Sequence, residues 1–261
     1  MTLSCPAGEF ADAELTVNDF LGGALKIAQP VQGYRAGVDP VLLAASVPAR
    51  TGQTVLELGC GGGVASLCLA HRTGAAVTGV ELLAPYGALA RRNAASNGIT
   101  MEVVCADLAE MPLHLRERQF DHVIANPPYY DRAKSVAAGD AGRETGLGEG
   151  QPLQTWVQIA AKRLRPGGLM TFIHRAERLP HIITALPHEM GSIEVLPIAA
   201  RSGRTANLIL IRAKKNGRAD FRLHAPLILH DGAAHVEKSK DYNPLVESVL
   251  SRGAALPFGT S

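Results

Sequence analysis

The sequence predicts an α/β fold in which a mostly parallel sheet carries helices on both faces and ends in an antiparallel hairpin. From residue 53 onwards, short apolar runs alternate with stretches of helical periodicity, which is the order of right-handed β-α-β units. The first run leads into a glycine-rich turn, and each of the next three ends in an acid or an amide. Because 46% of the 261 residues are hydrophobic and 19% are charged, the chain can bury the core of such a fold.

An N-terminal extension, residues 1–50, is predicted to contain a hairpin and a helix. Residues 18–29 have strand character on both sides of a glycine pair, which favours a tight hairpin turn. Asp39 and Pro40 then mark a helix start, since the Asp side chain can cap free amides and Pro fits the first turn. This helix is predicted to run to residue 46.

The main domain is predicted to span residues 51–215, and residues 216–261 are predicted to form a C-terminal extension that packs on the same domain and contains a helix at 244–250. Residues 130–150 lack periodicity, and a loop of that length in a compact domain is typically functional. Periodicity and turn residues predict strands at 54–58, 76–80, 101–105, 120–125 and 169–173, a terminal hairpin at 192–198 and 207–213, and helices at 64–71, 85–96, 153–164 and 175–186.

Composition narrows the class of protein. The net charge is only +2, which does not by itself indicate a nucleic-acid partner. No apolar run approaches the roughly 20 residues that span a bilayer, and the N-terminus lacks the pattern of a secretory signal. The four cysteines form no C-x-x-C pair, and the histidines have no metal-ligand spacing. We therefore expect no metal site, no disulfide framework, no membrane partner and a cytoplasmic location.

The glycine-rich turn at residues 57–63 has the pattern E-x-G-x-G-x-G between a strand and a helix. Ligands of open α/β folds bind at this edge of the sheet, and glycines let the backbone touch them. A dinucleotide loop needs a third glycine, but Val64 or Ser66 stands at that position. Glu57 suits a ligand that carries an ammonium group, which favours S-adenosylmethionine (SAM) over a pyrophosphate.

Two further acids support a nucleoside-containing cofactor. Glu81 ends the second strand and can accept hydrogen bonds from both ribose hydroxyls, a role that would serve NAD equally well. Asp107 ends the third strand, where a carboxylate can accept from an adenine amino group. The predicted cofactor site around the turn comprises Glu57, Gly59, Cys60, Gly61, Gly63, Glu81, Leu82, Asp107 and Leu108.

The fourth strand is followed by Asn126-Pro127-Pro128-Tyr129, and this tetrapeptide indicates the chemistry. An amine on a conjugated ring is a poor nucleophile, and two acceptors, the Asn oxygen and a backbone carbonyl, can fix its orientation. The prolines hold φ near roughly −65°, and the tyrosine ring can stack on a base for ~1–3 kcal/mol. The sequence here resembles amino-methyltransferases with the signature (D/N)-P-P-(Y/F), which predicts Asn126 to Tyr129 as the catalytic residues.

One family of these enzymes is similar over more of the chain. Residues 32–45, before the glycine turn, resemble the corresponding segment of bacterial tRNA(Val) adenine N6-methyltransferases, and the similarity extends over roughly residues 18–215. The resemblance implies a Rossmann-like, class I methyltransferase fold with seven strands, SAM as donor, and an adenine beside a tRNA anticodon as acceptor. It also implies that Tyr34 packs on the methionine part of SAM, that Asp39 begins a capping helix, and that Asn126 borders the cofactor.

The same reading predicts an RNA-binding surface in two parts. The loop at 131–150 would close over the RNA, and the basic stretch at 201–222 would hold phosphates, because a local patch can bind RNA despite a modest net charge. An unpaired anticodon-loop adenine is easier to expose than one in a duplex. The protein is expected to be a monomer or homodimer, with RNA contacts from Arg132, Lys134, Arg143, Arg201, Arg204, Lys214 and Lys215.

Three other functions fit parts of the pattern. Glutamine N5-methyltransferases of the release-factor type use the same tetrapeptide, but they carry a longer helical N-terminal domain than the roughly 50 residues that precede this glycine turn. Guanine N2-methylation of ribosomal RNA is a second alternative. A non-enzymatic module that binds SAM or RNA is the third, and the presence of both the cofactor turn and the acceptor tetrapeptide argues against it.

Overall fold

The computed structural model describes residues 8–129, 152–232 and 241–258. An antiparallel hairpin comes first, formed by β1 (Leu15–Phe20) and β2 (Leu25–Pro30), and helix α1 (Asp39–Ser46) follows it. The predicted hairpin and helix are therefore confirmed. The glycines between the strands have positive φ angles of 65° and 92°, as a tight turn here requires.

The main sheet contains nine strands among the described residues. Seven of them follow the order β5-β4-β3-β6-β7-β9-β8, in which β9 is the antiparallel strand, so the predicted seven-stranded, mostly parallel sheet with an antiparallel terminal hairpin is confirmed. Two short strands are added along β8. The strands are β3 (Thr54–Leu58), β4 (Ala76–Glu81), β5 (Met101–Cys105), β6 (Phe120–Ala125), β7 (Leu164–Arg175), β8 (Met190–Ala199), β9 (Leu208–Lys215), β10 (Arg222–Leu223) and β11 (Leu227–Ile228).

Helices cover both faces of this sheet, and strands β3 and β6 are accordingly buried along most of their length, with apolar residues at most positions. The helix predicted at 175–186 is shorter than expected, since β7 continues to Arg175 before a 3₁₀ turn. The helices that follow α1 are α2 (Val64–Thr73), α3 (Ala84–Ser96), α4 (Leu113–Arg116), α5 (Leu153–Arg163), α6 (Leu179–Ala185) and α7 (Pro244–Arg252).

One continuous apolar core joins the extensions at both ends of the chain to the sheet. It contains Leu25 and Leu42 from the N-terminal extension, Val55 from β3, and Val246 and Val249 from α7, all of them at most 4% exposed. The predicted boundaries at residues 50 and 216 therefore fall within a shared core.

The C-terminal segment fastens helix α1. The amide of Leu256 donates to the Ala45 carbonyl at 2.8 Å, and the Phe258 ring lies 4.0 Å from the Arg212 guanidinium carbon. That guanidinium also donates to the carbonyl of Ser46, the last residue of α1. The last turn of α1 is thus held by side chains and backbone from distant parts of the sequence.

The structure also bears on the cysteines, membrane spans and metal sites that composition was used to consider. Cys60 and Cys68 are buried free thiols, whereas Cys105 is disulfide-bonded, a bond that the cysteine spacing did not indicate. Within the described ranges, no helix is long and apolar enough to cross a membrane. The same ranges contain no cluster of His, Cys, Asp or Glu that can hold a metal ion.

Candidate active site

The glycine turn after β3 needs glycine for both conformation and space. Gly59, Gly61 and Gly63 have φ angles of 64°, 53° and 84°, in the left-handed region that glycine adopts without strain. A Cβ atom on Gly59 would lie 2.5 Å from the ring of Trp156 on α5. At Gly61 the nearest atom to such a Cβ is a ring carbon of Tyr34, at 3.8 Å. The turn thus presents backbone, with Tyr34 beside it.

Glu57 lies on β3 just before this turn and is 3% exposed. Its Oε2 accepts hydrogen bonds from the Ser66 hydroxyl at 2.6 Å and the Ser66 amide at 3.0 Å. Burial and, to a smaller extent, the nearby charge of Glu81 raise the pKa of Glu57 from 4.5 to about 8, against the lowering effect of the Ser66 hydrogen bonds. A buried carboxyl group without a positive partner in the described chain is a site where a cationic ligand group would be stabilised.

Glu81 and Asp107 lie at the ends of β4 and β5, as the sequence predicts. Glu81 accepts from the Gly61 amide and the Leu83 amide, each at 2.8 Å, which ties the glycine turn to the end of β4. Asp107 accepts from the Ala109 amide at 2.8 Å. Both carboxylates retain oxygen lone pairs for a ligand, and their predicted contacts to ribose and adenine stay predictions.

Two neighbours of these acids differ in exposure. Leu82 is 45% exposed and can cover a ligand, whereas Leu108 is 8% exposed and supports the end of β5 from within the core. The Cys60 side chain is also buried, so any contact of this residue with a cofactor would come from its backbone.

Asn126 follows β6 at the same edge of the sheet. Its Nδ2 donates to the Tyr34 hydroxyl at 3.5 Å, while its Oδ1 is buried and has no hydrogen-bond partner among the described residues. A buried acceptor without a partner costs free energy unless a ligand supplies the donor. The next residue, Pro127, is buried, and Pro128 is exposed. The amide is therefore oriented with its oxygen available.

Tyr129 is held at both its hydroxyl and its ring. The hydroxyl donates to the Asp39 carboxylate, the ring centroid lies 5.3 Å from that of His174, and the Arg175 guanidinium carbon lies 5.7 Å from it. Burial and the charge of Asp39 raise the pKa of Tyr129 above its ordinary value. Burial and two neighbouring arginines lower the pKa of His174 to about 4, so its ring is neutral near pH 7.

The prediction that Asp39 caps α1 with its side chain is wrong. Val38 is the N-cap residue, it makes no side-chain cap, and the Asp39 carboxylate turns instead to Tyr129. His174 and Arg175 received no role from the sequence. Both end β7, the strand next to β6, so the rule that located the other site residues at strand ends would also have found these two.

Tyr34 lies between the cofactor turn and Asn126. The hydroxyl of Tyr86 accepts a hydrogen bond from the Tyr34 amide at 2.9 Å, which fixes the backbone of this segment. The side chain is 38% exposed. Its placement agrees with a contact to a ligand on the turn, and the predicted packing on methionine stays a prediction.

The predicted RNA-binding residues do not form one surface. Arg201 donates to the Asp231 and Gly232 carbonyls at 2.6 and 3.0 Å and pairs with Asp241. Lys215 donates to the carbonyl of Ala161 in the last turn of α5 and to that of Leu164 just after it. These cations hold the fold, so we remove both from the predicted surface. Arg132, Lys134 and Arg143 lie outside the described residues.

Lys214 and Arg204 lie towards opposite ends of the strands in the sheet. Lys214 pairs with Leu169 in the middle of β7, six residues along β9 from the pairing of Leu208 with Arg175 at the end of β7. It therefore lies about 20 Å from the strand ends that carry the site. Lys214 is therefore also removed from the surface. Arg204 is exposed in the loop between β8 and β9, on the side of the sheet where the site lies.

The strand order, the glycine turn at the end of β3 and the acceptor tetrapeptide at the end of β6 define a class I methyltransferase that uses SAM. The sequence matches the family described as Methyltransferase small domain over residues 36–200, and the chain belongs to this family. The tRNA1(Val) (adenine(37)-N6)-methyltransferase of Haemophilus influenzae is 25% identical over 228 residues, which cover 80% of this chain and 90% of that protein.

Solved structures have the same fold. A predicted O-methyltransferase, protein Atu636 from Agrobacterium tumefaciens, has a TM-score of 0.67 and 29% identity, covering 84% of this chain and 98% of that one. The Thermus thermophilus 16S rRNA N2 G1207 methyltransferase, in complex with AdoMet and guanosine, has a TM-score of 0.55 and 22% identity, covering 77% and 50%.

Proposed function

We propose that this enzyme transfers a methyl group from SAM to the exocyclic N6 amine of an adenine in tRNA. The observation that carries this proposal is the buried Asn126 Oδ1, just after β6 and near the glycine turn, for which the described part of the chain provides no hydrogen-bond partner. An amine has the hydrogen that this oxygen needs. The name of the Haemophilus influenzae relative supports adenine N6 in tRNA as the acceptor.

The chain's own groups bind and orient the two reactants. Bound SAM supplies an electrophilic methyl group on a sulfonium. Glu57 is suited to its ammonium group, because that cation would stabilise the ionised form of the buried carboxyl. On the acceptor side, Asn126 Oδ1 would accept one N–H of the amine, and a carbonyl of the Pro127-Pro128 segment would accept the other. Positioning of this kind can supply much of the rate acceleration.

The site suits an amine better than a hydroxyl acceptor, which the name of the Agrobacterium tumefaciens protein would suggest. An alcohol must lose its proton to a base as the new bond forms. Asn126 is a neutral amide, Asp39 is engaged by Tyr129, and His174 is a weak base because its pKa is about 4. An adenine amine can lose its proton after the methyl group has been transferred.

RNA contact is expected on the acceptor side of the sheet's edge. Arg175 lies beside Tyr129, and Arg204 is exposed on the same side, so both can meet phosphates near a base that stacks on the tyrosine. A cytoplasmic location, where tRNA is found, and a monomeric or homodimeric state complete the proposal. Size-exclusion chromatography with light scattering tests the oligomeric state.

The test incubates the purified enzyme with labelled SAM and separate pools of unmodified tRNA, ribosomal RNA and protein, followed by mass spectrometry of nucleosides and peptides. N6-methyladenosine in tRNA is the expected product. Asn126→Ala should abolish it and leave SAM affinity within a few-fold, while Lys214→Ala, at the far edge of the sheet, should retain it. N2-methylguanosine or methylglutamine as the product would replace the proposal with one of its alternatives.

A further inference from the structure

The Asp39 carboxylate links two segments that are 90 residues apart in sequence. Asp39 lies in the first turn of α1, a helix that needs no side-chain cap from it, and it accepts the hydrogen bond of the Tyr129 hydroxyl. Tyr129 is the last residue of the acceptor tetrapeptide. Helix α1 is therefore hydrogen-bonded directly to Tyr129, the residue on which we propose that the base stacks.

The tyrosine ring has further contacts that limit its rotation. His174 lies at 5.3 Å between centroids with an interplanar angle of 56°, and the Arg175 guanidinium carbon lies 5.7 Å from the ring centroid. With the hydroxyl bound to Asp39 as well, the ring is held at its tip, and Arg175 lies over one of its two faces. A ring fixed in this way can receive a base without the entropy cost of being ordered on binding.

Helix α1, which carries Asp39, is held by packing and by hydrogen bonds along its length. Apolar residues of α1 are buried in the core, and its last carbonyls are hydrogen-bonded from three directions. Arg72 donates to the Ala44 carbonyl at 2.8 Å, Leu256 donates to the Ala45 carbonyl at 2.8 Å, and Arg212 donates to the Ser46 carbonyl. A carboxylate on such a helix is a rigid acceptor for the phenol.

We propose that Asp39 is a positioning residue of the acceptor side, which holds the Tyr129 ring in the orientation that receives the target base. This proposal assigns Asp39 to the RNA side of the site, whereas the sequence predicts it on the cofactor side. The proposal rests on the proposed function, since it takes an RNA base as the acceptor. It also separates Asp39 from Tyr34, which lies beside the glycine turn.

The kinetic test compares Asp39→Ala, Asp39→Asn and Tyr129→Phe with the unaltered enzyme. A hydrogen bond to a charged group is worth enough that Asp39→Ala should lose roughly 10- to 100-fold in kcat/KM for tRNA. Its Kd for SAM should change less than about threefold. Asp39→Asn keeps an oxygen acceptor and should restore activity to within about fivefold. The matched control is Asp19→Ala, in the exposed hairpin, which should behave like the unaltered enzyme.

A double-mutant cycle tests the link itself. If Asp39 acts through the phenol, Asp39→Ala should cost little more once Tyr129→Phe is present, because both changes break the same bond. Additive losses would overturn the proposal. So would an Asp39→Ala variant whose only defect is weaker SAM binding. If Asp39→Ala fails to fold, Tyr129→Phe and Asp39→Asn still test the proposal, because neither substitution should create a cavity beside α1.

A spectroscopic titration separates failure of this inference from failure of the proposed function, because it needs no substrate. Burial raises the pKa of the Tyr129 phenol most, Asp39 and Tyr34 raise it further, and Arg175 lowers it. Ultraviolet difference spectra against Tyr129→Phe report this phenol alone. Its pKa should fall in Asp39→Ala and less so in Asp39→Asn. An unchanged pKa in Asp39→Ala would show that the carboxylate does not hold the ring.

Discussion

Replacing Glu57 with Gln is expected to remove a pH dependence from both stability and SAM affinity. The buried carboxyl has a pKa of about 8 in the folded protein against an ordinary value of 4.5. The folded state therefore keeps a proton that the unfolded chain releases above pH 4.5. This contribution to stability is complete below pH 4.5 and is lost as the pH rises towards 8. The difference of the two pKa values corresponds to a loss of about 5 kcal/mol, an upper bound.

SAM affinity should change in the opposite direction, because the ammonium group requires the ionised carboxylate. Between pH 6 and 7.5 the Kd for SAM should fall by up to about tenfold per pH unit as Glu57 ionises. The range stops at pH 7.5 because an α-amino group, with an ordinary pKa near 7.7–8.0, begins to lose its own charge above it. In Glu57→Gln the affinity should be weaker and nearly independent of pH. The Ser66 hydrogen bonds to Oε2 can be kept by the glutamine oxygen, so the helix after the turn should remain folded.

Isothermal titration calorimetry with SAM and urea denaturation without it, each at several pH values from 5.5 to 8.5, measure the two effects. Comparison with Glu57→Gln separates the titration of the enzyme from that of the ligand. Equal pH slopes in the unaltered enzyme and the variant, for both stability and affinity, would refute the assignment of the raised pKa to Glu57.

Two further substitutions test the cofactor turn and the RNA surface. Gly59→Ala should destabilise the fold by ~2–4 kcal/mol in urea denaturation, because the new methyl group would lie 2.5 Å from Trp156. Gly52→Ala, which also has positive φ but open space around it, should cost only ~1–2 kcal/mol, and equal losses would contradict the packing argument. Arg204→Ala should weaken tRNA binding and reduce its salt slope by ~1, while Lys214→Ala should leave both unchanged. The reverse result would move the RNA to the other edge.

The sequence predicts the sheet and the two ends of the site well, because both depend on local patterns. Alternation of apolar runs and helices identified the strands, and strand ends placed Glu57, Glu81, Asp107 and Asn126 on one edge, where the structure has them. These inferences need only the direction of each strand, which the β-α-β order supplies.

The partners of charged side chains were less predictable, because they depend on contacts across the fold. The basic residues at 201–215 are close in sequence, yet β9 carries them from one edge of the sheet to the other. Lys215 and Arg201 bind backbone carbonyls that only the folded chain brings near them. Asp39 had the sequence pattern of a helix cap, and only its distance to Tyr129 in space shows a different role.

The shared core has a practical consequence for dividing this protein. A fragment that consists of residues 51–215 alone would lack α1 and α7 and would expose apolar side chains of β3 and α2 to water. Such a fragment would also lack the aspartate that steadies the acceptor tyrosine and the aromatic ring that covers Arg212. The catalytic unit is therefore the polypeptide with both of its terminal regions, and tags or truncations after α7 should be chosen with that dependence in mind.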